Sequence, residues 1–428
     1  MWRVGWRDEA WGKLDGQWDL LIIGGGITGA GIAREAARRG WRALLVEQRD
    51  FAWGTSSRSS KLVHGGLRYL AAGEIGLTRD SVRERERLLA ELPGLVTPLP
   101  FIIPAYAGKR LKRWVYQLGL TVYDGLAGQW RRHALDAGAV RLLAPHVRDE
   151  ELTGGLQFAD AQTDDARLVL RVLGEAVAAG ATALNYVAAA GLIREEGRVA
   201  GALLRDAETG AEREVRARVV INATGAWVDG LRGQVGAPAR MRPLRGSHLV
   251  FAAWRFPLAQ AVSIAHPADG RPVFALPWEG ATIVGTTDID HDKPLDAEPA
   301  ISGDEAAYLL AAVAATFPAL KLGADDIVST WSGVRPVVNT GRAPSEESRD
   351  HALWNEQGLL TVTGGKLTTF RLIARDALEA CEADLPPAAA DQPRARPEPA
   401  LPAELPGDRR RRLLGRYGEL APELVAAA

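Results

Sequence analysis

The stretch DLLIIGGGITGAGIAREAARRGWRALLVEQ, residues 19–48, decides the fold. After Asp19, the apolar run Leu20–Ile23 goes straight into glycines, as a buried parallel strand entering a tight turn would. ITGAGIAREAARRG then reads as a helix with small residues on one face, Arg34, Arg38 and Arg39 elsewhere, and Gly40 as its stop. WRALLVEQ is a second strand, so the stretch is a βαβ unit whose crossover should be right-handed. Gly24, Gly26 and Gly29 spell G-x-G-x-x-G between strand and helix. Gly24 permits the tight turn, Gly26 lets the backbone approach a pyrophosphate, and Gly29 allows close helix packing, with the helix N-terminus stabilising the negative charge. Glu47 closes the second strand, where it can accept ribose hydroxyls and would repel a 2′-phosphate, which favours FAD or NAD over NADP. Glycines that merely permit a tight connection are the plainer reading; the complete βαβ context weighs against it.

Outward from this unit, residues from about 92 to 163 turn Pro-rich and aromatic, and strand and helix return at DDARLVLRVLGEAVAAGATALNYV. GRVAGALLRDAETGAEREV suits a hairpin leading to the strand RVVINATG. Alternating strands dominate from about Met241 to Ser332 and suit an antiparallel sheet. LLTVTGGKLTTFRLIARDALEACEADL returns to the first unit as strand, glycine turn and helix. The fold class is therefore α/β, with a discontinuous Rossmann-like domain on a parallel sheet (residues 19–95, 163–235 and 350–385) and a mainly antiparallel substrate domain (96–162 and 236–349). Residues 1–18 form an extension with three tryptophans in its first eleven residues, read as packed on the protein. Residues 386–428 begin as a Pro-rich linker and close on GDRRRRLLGRYGELAPELVAAA, read as one amphipathic helix.

The 428 residues carry 52 basic and 53 acidic side chains, a net charge of -1, so no global field draws nucleic acid or an anionic membrane. With 47% hydrophobic and 25% charged residues, a disordered or fibrous class is excluded. One cysteine, Cys381, permits no internal disulfide or cysteine-based zinc cluster, and fits a reducing compartment. No apolar run is long enough to span a bilayer, and the first eighteen residues lack a secretory h-region.

Other motifs carry chemistry. GTSSRSSKLVHGGLRYL, from Gly54 to Leu70, is dense in hydroxyls, cations and glycines and has no clean period. Thr55, Ser56, Ser57, Ser59 and Ser60 offer donors to phosphate and flavin oxygens, while His64, Arg68 and Tyr69 are placed to reach a substrate. Arg335 in SGVRP and Lys366 in GGKLTT sit in glycine-marked turns. A phosphate-loop reading of Lys366 fails because Leu360 occupies the first glycine position and Leu367 follows the lysine. DIDHD, Asp288 to Asp292, lacks the sixth-position glycine and twelfth-position glutamate of a calcium loop and reads as a solvated acidic turn. No metal is expected.

In order and spacing, IIGGGITGAGIA, TSSRSSKLVHGGLRYL, DDARLVL, NATGAW, RGSHLVF, GTTD, SGVRP and GGKLTTFR resemble the FAD-dependent glycerol-3-phosphate dehydrogenase family, part of the flavoprotein group that includes D-amino acid oxidases. The similarity covers about Asp19 to Leu385. It implies FAD as cofactor, sn-glycerol 3-phosphate as substrate, hydride transfer to flavin N5, and quinone as acceptor. It places Arg68, Tyr69, His248, Arg335 and Lys366 around the substrate, with Arg349 a weaker candidate, and His64 at the flavin's reactive face. The base is open between His64 and His248. Along the FAD it implies Gly24, Gly26, Ile27, Thr28, Gly29, Glu47, Gln48, Thr55, Ser56, Ser57, Ser60, Lys61, Leu62, His64, Gly65, Gly225, Trp227 and Gly364, Gly365, Lys366, Leu367 and Thr368. An FAD oxidase of the same fold acting on an amine or another hydroxy acid with dioxygen, and a flavin-binding remnant without turnover, are the rival readings.

Family members continue into a helical C-terminal domain of roughly a hundred residues, whereas this chain stops roughly forty residues after Leu385. KRLKRWVYQLGLTVYDGL, with Lys109, Arg110, Lys112, Arg113, Trp114, Tyr116 and Tyr123, is a basic amphipathic stretch suited either to an anionic bilayer or to packing on its own protein. The expected location is cytoplasmic with peripheral membrane association, and a homodimer is allowed.

Overall fold

Leu20, Leu21, Ile22 and Ile23 are all buried, because both faces of their strand are covered. Leu20 and Ile22 enter one apolar cluster with Leu45, Val172 and Phe370. Leu21 and Ile23 enter another with Val187, Val199 and Leu204. This is why the strand reads as a continuous apolar run without alternation. The computed structural model describes residues 2–67, 70, 73–107, 119–126, 128, 132–341, 347, 350–389 and 399–427.

In chain order the described strands are β1 (Gln17–Ile23), β2 (Ala43–Val46), β3 (Leu62–Val63), β4 (Val96–Tyr106), β5 (His133–Leu135), β6 (Leu152–Thr163), β7 (Thr182–Leu184), β8 (Val187–Glu195) and β9 (Arg198–Asp206). They continue with β10 (Glu212–Asn222), β11 (Met241–Ala252), β12 (Ala261–Ala265), β13 (Pro272–Trp278), β14 (Ala281–Gly285), β15 (Ile289–Asp290), β16 (Ile327–Val338), β17 (His351–Glu356) and β18 (Leu359–Gly364). One sheet has the order β17-β18-β10-β1-β2-β7, with β9 paired to β10 and β8 to β9. Its centre is parallel: β1 lies between β10 and β2, with Ile22 opposite Ile221 and Leu45. The other sheet has the order β15-β11-β14-β13-β12-β4-β6-β3, with β16 on β11 and β5 on β6. It is mainly antiparallel, the β4–β12 pair being parallel. β3 pairs with β6 in this second sheet, so the hydroxyl-rich stretch after β2 crosses from one sheet to the other.

Helix Ile27–Arg38 leaves β1 and packs between helices Asp165–Ala178 and Phe370–Glu379. Two glycines make the exit feasible. Gly24 has φ +117°, and a Cβ there would lie 2.5 Å from the Ala223 carbonyl oxygen. A Cβ on Gly29 would lie 2.0 Å from the Gly24 carbonyl oxygen, so the helix could not sit this close to the turn.

The N-terminal extension packs as expected: Trp2 stacks on Phe51 at 6.0 Å, and Arg7 bonds the buried Asp206 at 2.7 Å. Two details depart from expectation, and a third decides between two readings. The closing segment is two helices, Gly407–Tyr417 and Ala421–Ala426, broken at Gly418, whose φ of +54° ends the first. A helix, Gly303–Thr316, interrupts the strand-rich region and is opened by a Ser302–Glu305 capping box. Tyr123 is buried against Phe158 rather than set on a bilayer-facing surface; Lys109, Arg110, Lys112, Arg113, Trp114 and Tyr116 lie outside the described residues. No helix among the described residues is long and apolar enough to cross a membrane.

Candidate active site

Two cavities meet between the sheets. The smaller, about 420 Å³, lies at the C-terminal ends of β1, β2, β10 and β18, where open α/β sheets bind ligands. Gly24, Gly26, Ile27 and Thr28 line it from the first turn, and Glu47 and Gln48 from the end of β2. Thr55, Ser56, Gly225, Trp227, Gly364, Gly365, Lys366 and Leu367 complete it from the sequence-derived set. The larger cavity, about 850 Å³, runs over the second sheet and is lined by Ser60, Leu62, His64, His248, Arg335 and Thr368. Thr55, Ser59, Pro336 and Gly365 to Leu367 line both, so the two form one continuous cleft.

The smaller cavity fits a dinucleotide. The loop Gly24–Gly26 carries no side chains, and Ser56 Oγ accepts the Ile27 N–H at 3.0 Å beside it. Glu47 is half-buried at the end of β2, and its oxygens accept the Gly25 and Arg49 N–H groups at 2.8 and 2.9 Å. A carboxylate has about four lone-pair sites, so acceptors remain for two ribose hydroxyls. Burial raises the Glu47 pKa, and the backbone hydrogen bonds from Gly25 and Arg49 oppose that rise.

Four of the expected residues do not line either cavity. Gly29 supports helix packing, as above. Ser57 turns its hydroxyl to the Trp53 and Gly54 carbonyls, both at 3.3 Å. Lys61, at φ +60°, gives its ammonium to buried Asp165 at 2.6 Å and to the Ser57 carbonyl at 2.7 Å. Gly65 faces inward: its N–H donates to Tyr123 Oη at 3.0 Å and Asp160 at 3.1 Å. Arg68, Tyr69 and Arg349 lie outside the described residues.

In the larger cavity, His248 is 1% exposed, stacks on Trp331 at 4.7 Å and shares a 2.8 Å hydrogen bond between Nε2 and Ser60 Oγ. Its ring fits because Gly285, opposite it on β14, has no side chain: a Cβ there would lie 2.2 Å from His248 Cδ2. Burial, helped by Arg335 and Lys61, lowers its pKa to about 3, so the imidazole is neutral. Nδ1 is buried without a hydrogen-bond partner.

Arg335 is clamped. Nη1 donates to Asp288 Oδ1 at 2.7 Å and to the Thr287 carbonyl at 3.2 Å, and Nη2 donates to Thr286 Oγ1 at 3.0 Å. Asp288, 3% exposed at its side chain, is thus no solvated acidic turn; it is the buried counter-ion of Arg335. The turn that carries it is pinned from behind by Glu305, which accepts Thr287 Oγ1 and Ser247 Oγ at 2.7 Å each. Burial pushes Glu305 up, but bonds from Thr287, Arg245, Ser302 and Ser247 outweigh it and hold the carboxyl at about 2. Lys366 donates to buried Ser81 Oγ at 2.9 Å. No cluster of three or more potential metal ligands occurs among the described residues.

Sequence reasoning missed Asp288, Asp165 and Ser81 as supports. Asp165 had a signal, standing in the quoted motif DDARLVL; Ser81 had none, since 285 positions separate it from Lys366.

A family model described as FAD dependent oxidoreductase matches residues 19–375. The chain belongs to the FAD dependent oxidoreductase family. FAD is therefore its cofactor. The aerobic glycerol-3-phosphate dehydrogenase of Bacillus subtilis (strain 168) is 42% identical over 364 residues, 83% of this chain and 65% of that protein. That of Staphylococcus aureus (strain USA300) is 40% identical over 373 residues, 85% of this chain and 66% of that protein. The chain thus spans just under two thirds of the length of these relatives. The structure of glycerol-3-phosphate dehydrogenase from Bacillus halodurans complexed with FAD superposes with a TM-score of 0.73 at 36% identity, covering 89% of this chain and 68% of that one. Glycine oxidase from Bacillus cereus shares the fold at a TM-score of 0.65 and 18% identity.

Proposed function

We propose that this chain oxidises sn-glycerol 3-phosphate to dihydroxyacetone phosphate and passes the electrons to a quinone. The observation that carries the reading is the larger cavity, which brings Arg335, Lys366, His64 and a neutral His248 to the mouth of the FAD cleft. Relatives at 40 to 42% identity, named for this activity, support it.

Bound FAD supplies the two-electron acceptor for the hydride that leaves the carbinol carbon. Arg335 and Lys366 hold the anionic substrate and lower the cost of negative charge beside it. His64 accepts the hydroxyl proton. His248 is a poor base in its resting state, since its protonation is opposed by burial and by two cations. It serves as a neutral hydrogen-bonding group whose orientation Ser60 and Trp331 fix. Arg68, Tyr69 and Arg349 are proposed to complete substrate recognition. We divide the chain into an FAD part (19–95, 163–235, 350–385) and a substrate part (96–162, 236–349), with the cleft between them. Attachment to an anionic membrane through residues 109–116 is proposed on their charge and is checked by liposome flotation.

The test is anaerobic addition of sn-glycerol 3-phosphate to the FAD-loaded protein. Loss of the oxidised flavin absorbance is expected. Bleaching by glycine or another amine substrate, with none by glycerol 3-phosphate, would overturn the reading.

A further inference from the structure

Arg271 lines the larger cavity together with His248, Arg335 and Lys366, yet neither composition nor motif marked it. It lies at the end of the turn between β12 and β13, just before Pro272. That turn is rigid through other groups. The Arg271 N–H donates to Asp269 Oδ1 at 3.0 Å, the Gly270 N–H donates to the His266 carbonyl at 2.9 Å, and the Ala268 N–H donates to His266 Nδ1 at 3.1 Å. The His266 ring stacks on Tyr308 at 3.6 Å, and Tyr308 Oη donates to Asp269 at 3.0 Å. The guanidinium donates no hydrogen bond to this scaffold, although Asp269 and Tyr308 feel its charge.

The charged neighbours on the cavity wall are already engaged. Arg58 forks onto Glu298 at 2.7 and 2.9 Å, and Arg148 lies over the Tyr106 ring at 4.3 Å. Arg335 is clamped by Asp288, Thr286 and Thr287. The Arg271 guanidinium has one ionic contact among the described residues, Asp288 Oδ2 at 3.7 Å, beyond hydrogen-bond range, and its side chain is 29% exposed. Its donors therefore face the cavity unspent. Asp288 stands between two guanidiniums and offsets the repulsion that would push the two arginines apart.

We propose that Arg271 is a substrate-binding residue that receives the phosphate of the substrate through a forked guanidinium contact, while Asp288 holds Arg335 in place beside it. This rests on the proposed phosphorylated substrate. A planar guanidinium matches two phosphate oxygens at once, which an ammonium cannot do.

The test uses the FAD-loaded full chain and its Arg271→Gln and Arg271→Lys variants, measuring kcat, KM for sn-glycerol 3-phosphate, and competitive inhibition by inorganic phosphate. Losing a charged hydrogen bond of this kind should raise both KM and the phosphate inhibition constant about 10- to 100-fold in Arg271→Gln, with kcat changed by less than about threefold. Arg271→Lys should recover part of the loss. An Arg271→Gln protein that retains FAD and shows unchanged KM and phosphate inhibition overturns the proposal. So does a fall in kcat at unchanged KM, which would reduce Arg271 to a support for Asp288. If the wild-type protein itself fails to oxidise glycerol 3-phosphate, the functional reading has failed and this inference falls with it, a result seen in the wild type before any variant is compared.

Discussion

Ser60, Trp331 and Gly285 leave His248 a single way to sit, and burial with Arg335 and Lys61 nearby keeps it neutral down to about pH 3. In the unfolded chain the same ring would protonate near 6.5. Between those values the unfolded state binds a proton that the folded state does not, so the contribution of His248 to stability falls as pH is lowered from 6.5 toward 3. The slope from one such group is at most about 1.4 kcal/mol per pH unit. We expect His248→Asn to unfold less steeply with acid than the wild type across this window, as read from denaturant midpoints at each pH. Parallel curves for the two proteins would mean that the ring is already protonated when folded. Carboxylates such as Glu305, held at about 2, add their own acid loss, and the comparison of the two proteins removes it.

Element by element, the legible parts were those whose signal is local. The βαβ unit announces itself because strand, glycine spacing and helix lie within thirty residues, and the close approach at Gly29 is exactly what its spacing implies. Pairings across the chain were not legible: Asp288 with Arg335, 47 positions on, and Lys61 with Asp165, 104 positions on, look like ordinary charges until the sheets bring them together. The capping box at Ser302 was a local signal for its helix that the surrounding strand pattern obscured. Tyr123 is the instructive case, since an amphipathic pattern names a buried face without saying what covers it. Here the cover is Phe158 and a polar knot in which Tyr123 Oη meets Asp160 at 2.9 Å, Arg85 at 3.0 Å and the Gly65 N–H. Burial and the Asp160 charge hold the phenol well above its ordinary pKa, so it stays protonated and donates to Asp160. Tyr123→Phe would leave Asp160 and the Gly65 N–H short of a partner in the core. We expect a loss of about 1–3 kcal/mol in unfolding free energy, together with faster amide exchange at residues 64–67, which carry His64. A loss of stability without faster exchange there would confine the knot to the core and dissociate it from the active-site loop.

At the scale of the whole molecule, the last described segment ties the two sheets together. Helix Gly407–Tyr417 lies with Gly415 against the backbone of Pro93 and Gly94, where a Cβ on Gly415 would come within 2.4 Å of the Pro93 carbonyl oxygen. From the first-sheet side, Arg171 on helix Asp165–Ala178 donates to the Leu414 and Gly415 carbonyls at 2.5 and 2.9 Å, satisfying acceptors that the helix end leaves open. From the second-sheet side, Arg412 and Arg416 reach Glu279, at the turn between β13 and β14, at 2.9 Å each. These two attachments differ in strength for a physical reason. Glu279 is 44% exposed, so its ion pairs are screened and Glu279→Gln should cost at most about 1 kcal/mol, less in high salt. The Arg171 contacts are charge-assisted and partly buried, and Arg171→Ala should cost about 1.5–3 kcal/mol of local stability. The bond length alone does not decide this; the exposure of the partners does. Limited proteolysis separates the two cases. We expect Arg171→Ala to be cut several-fold faster than the wild type within residues 386–427 while keeping its FAD, and Glu279→Gln to be cut at nearly the wild-type rate. Equal cleavage of Arg171→Ala and wild type would show that the apolar contacts of Leu401, Leu414 and Ala421 hold the segment without it.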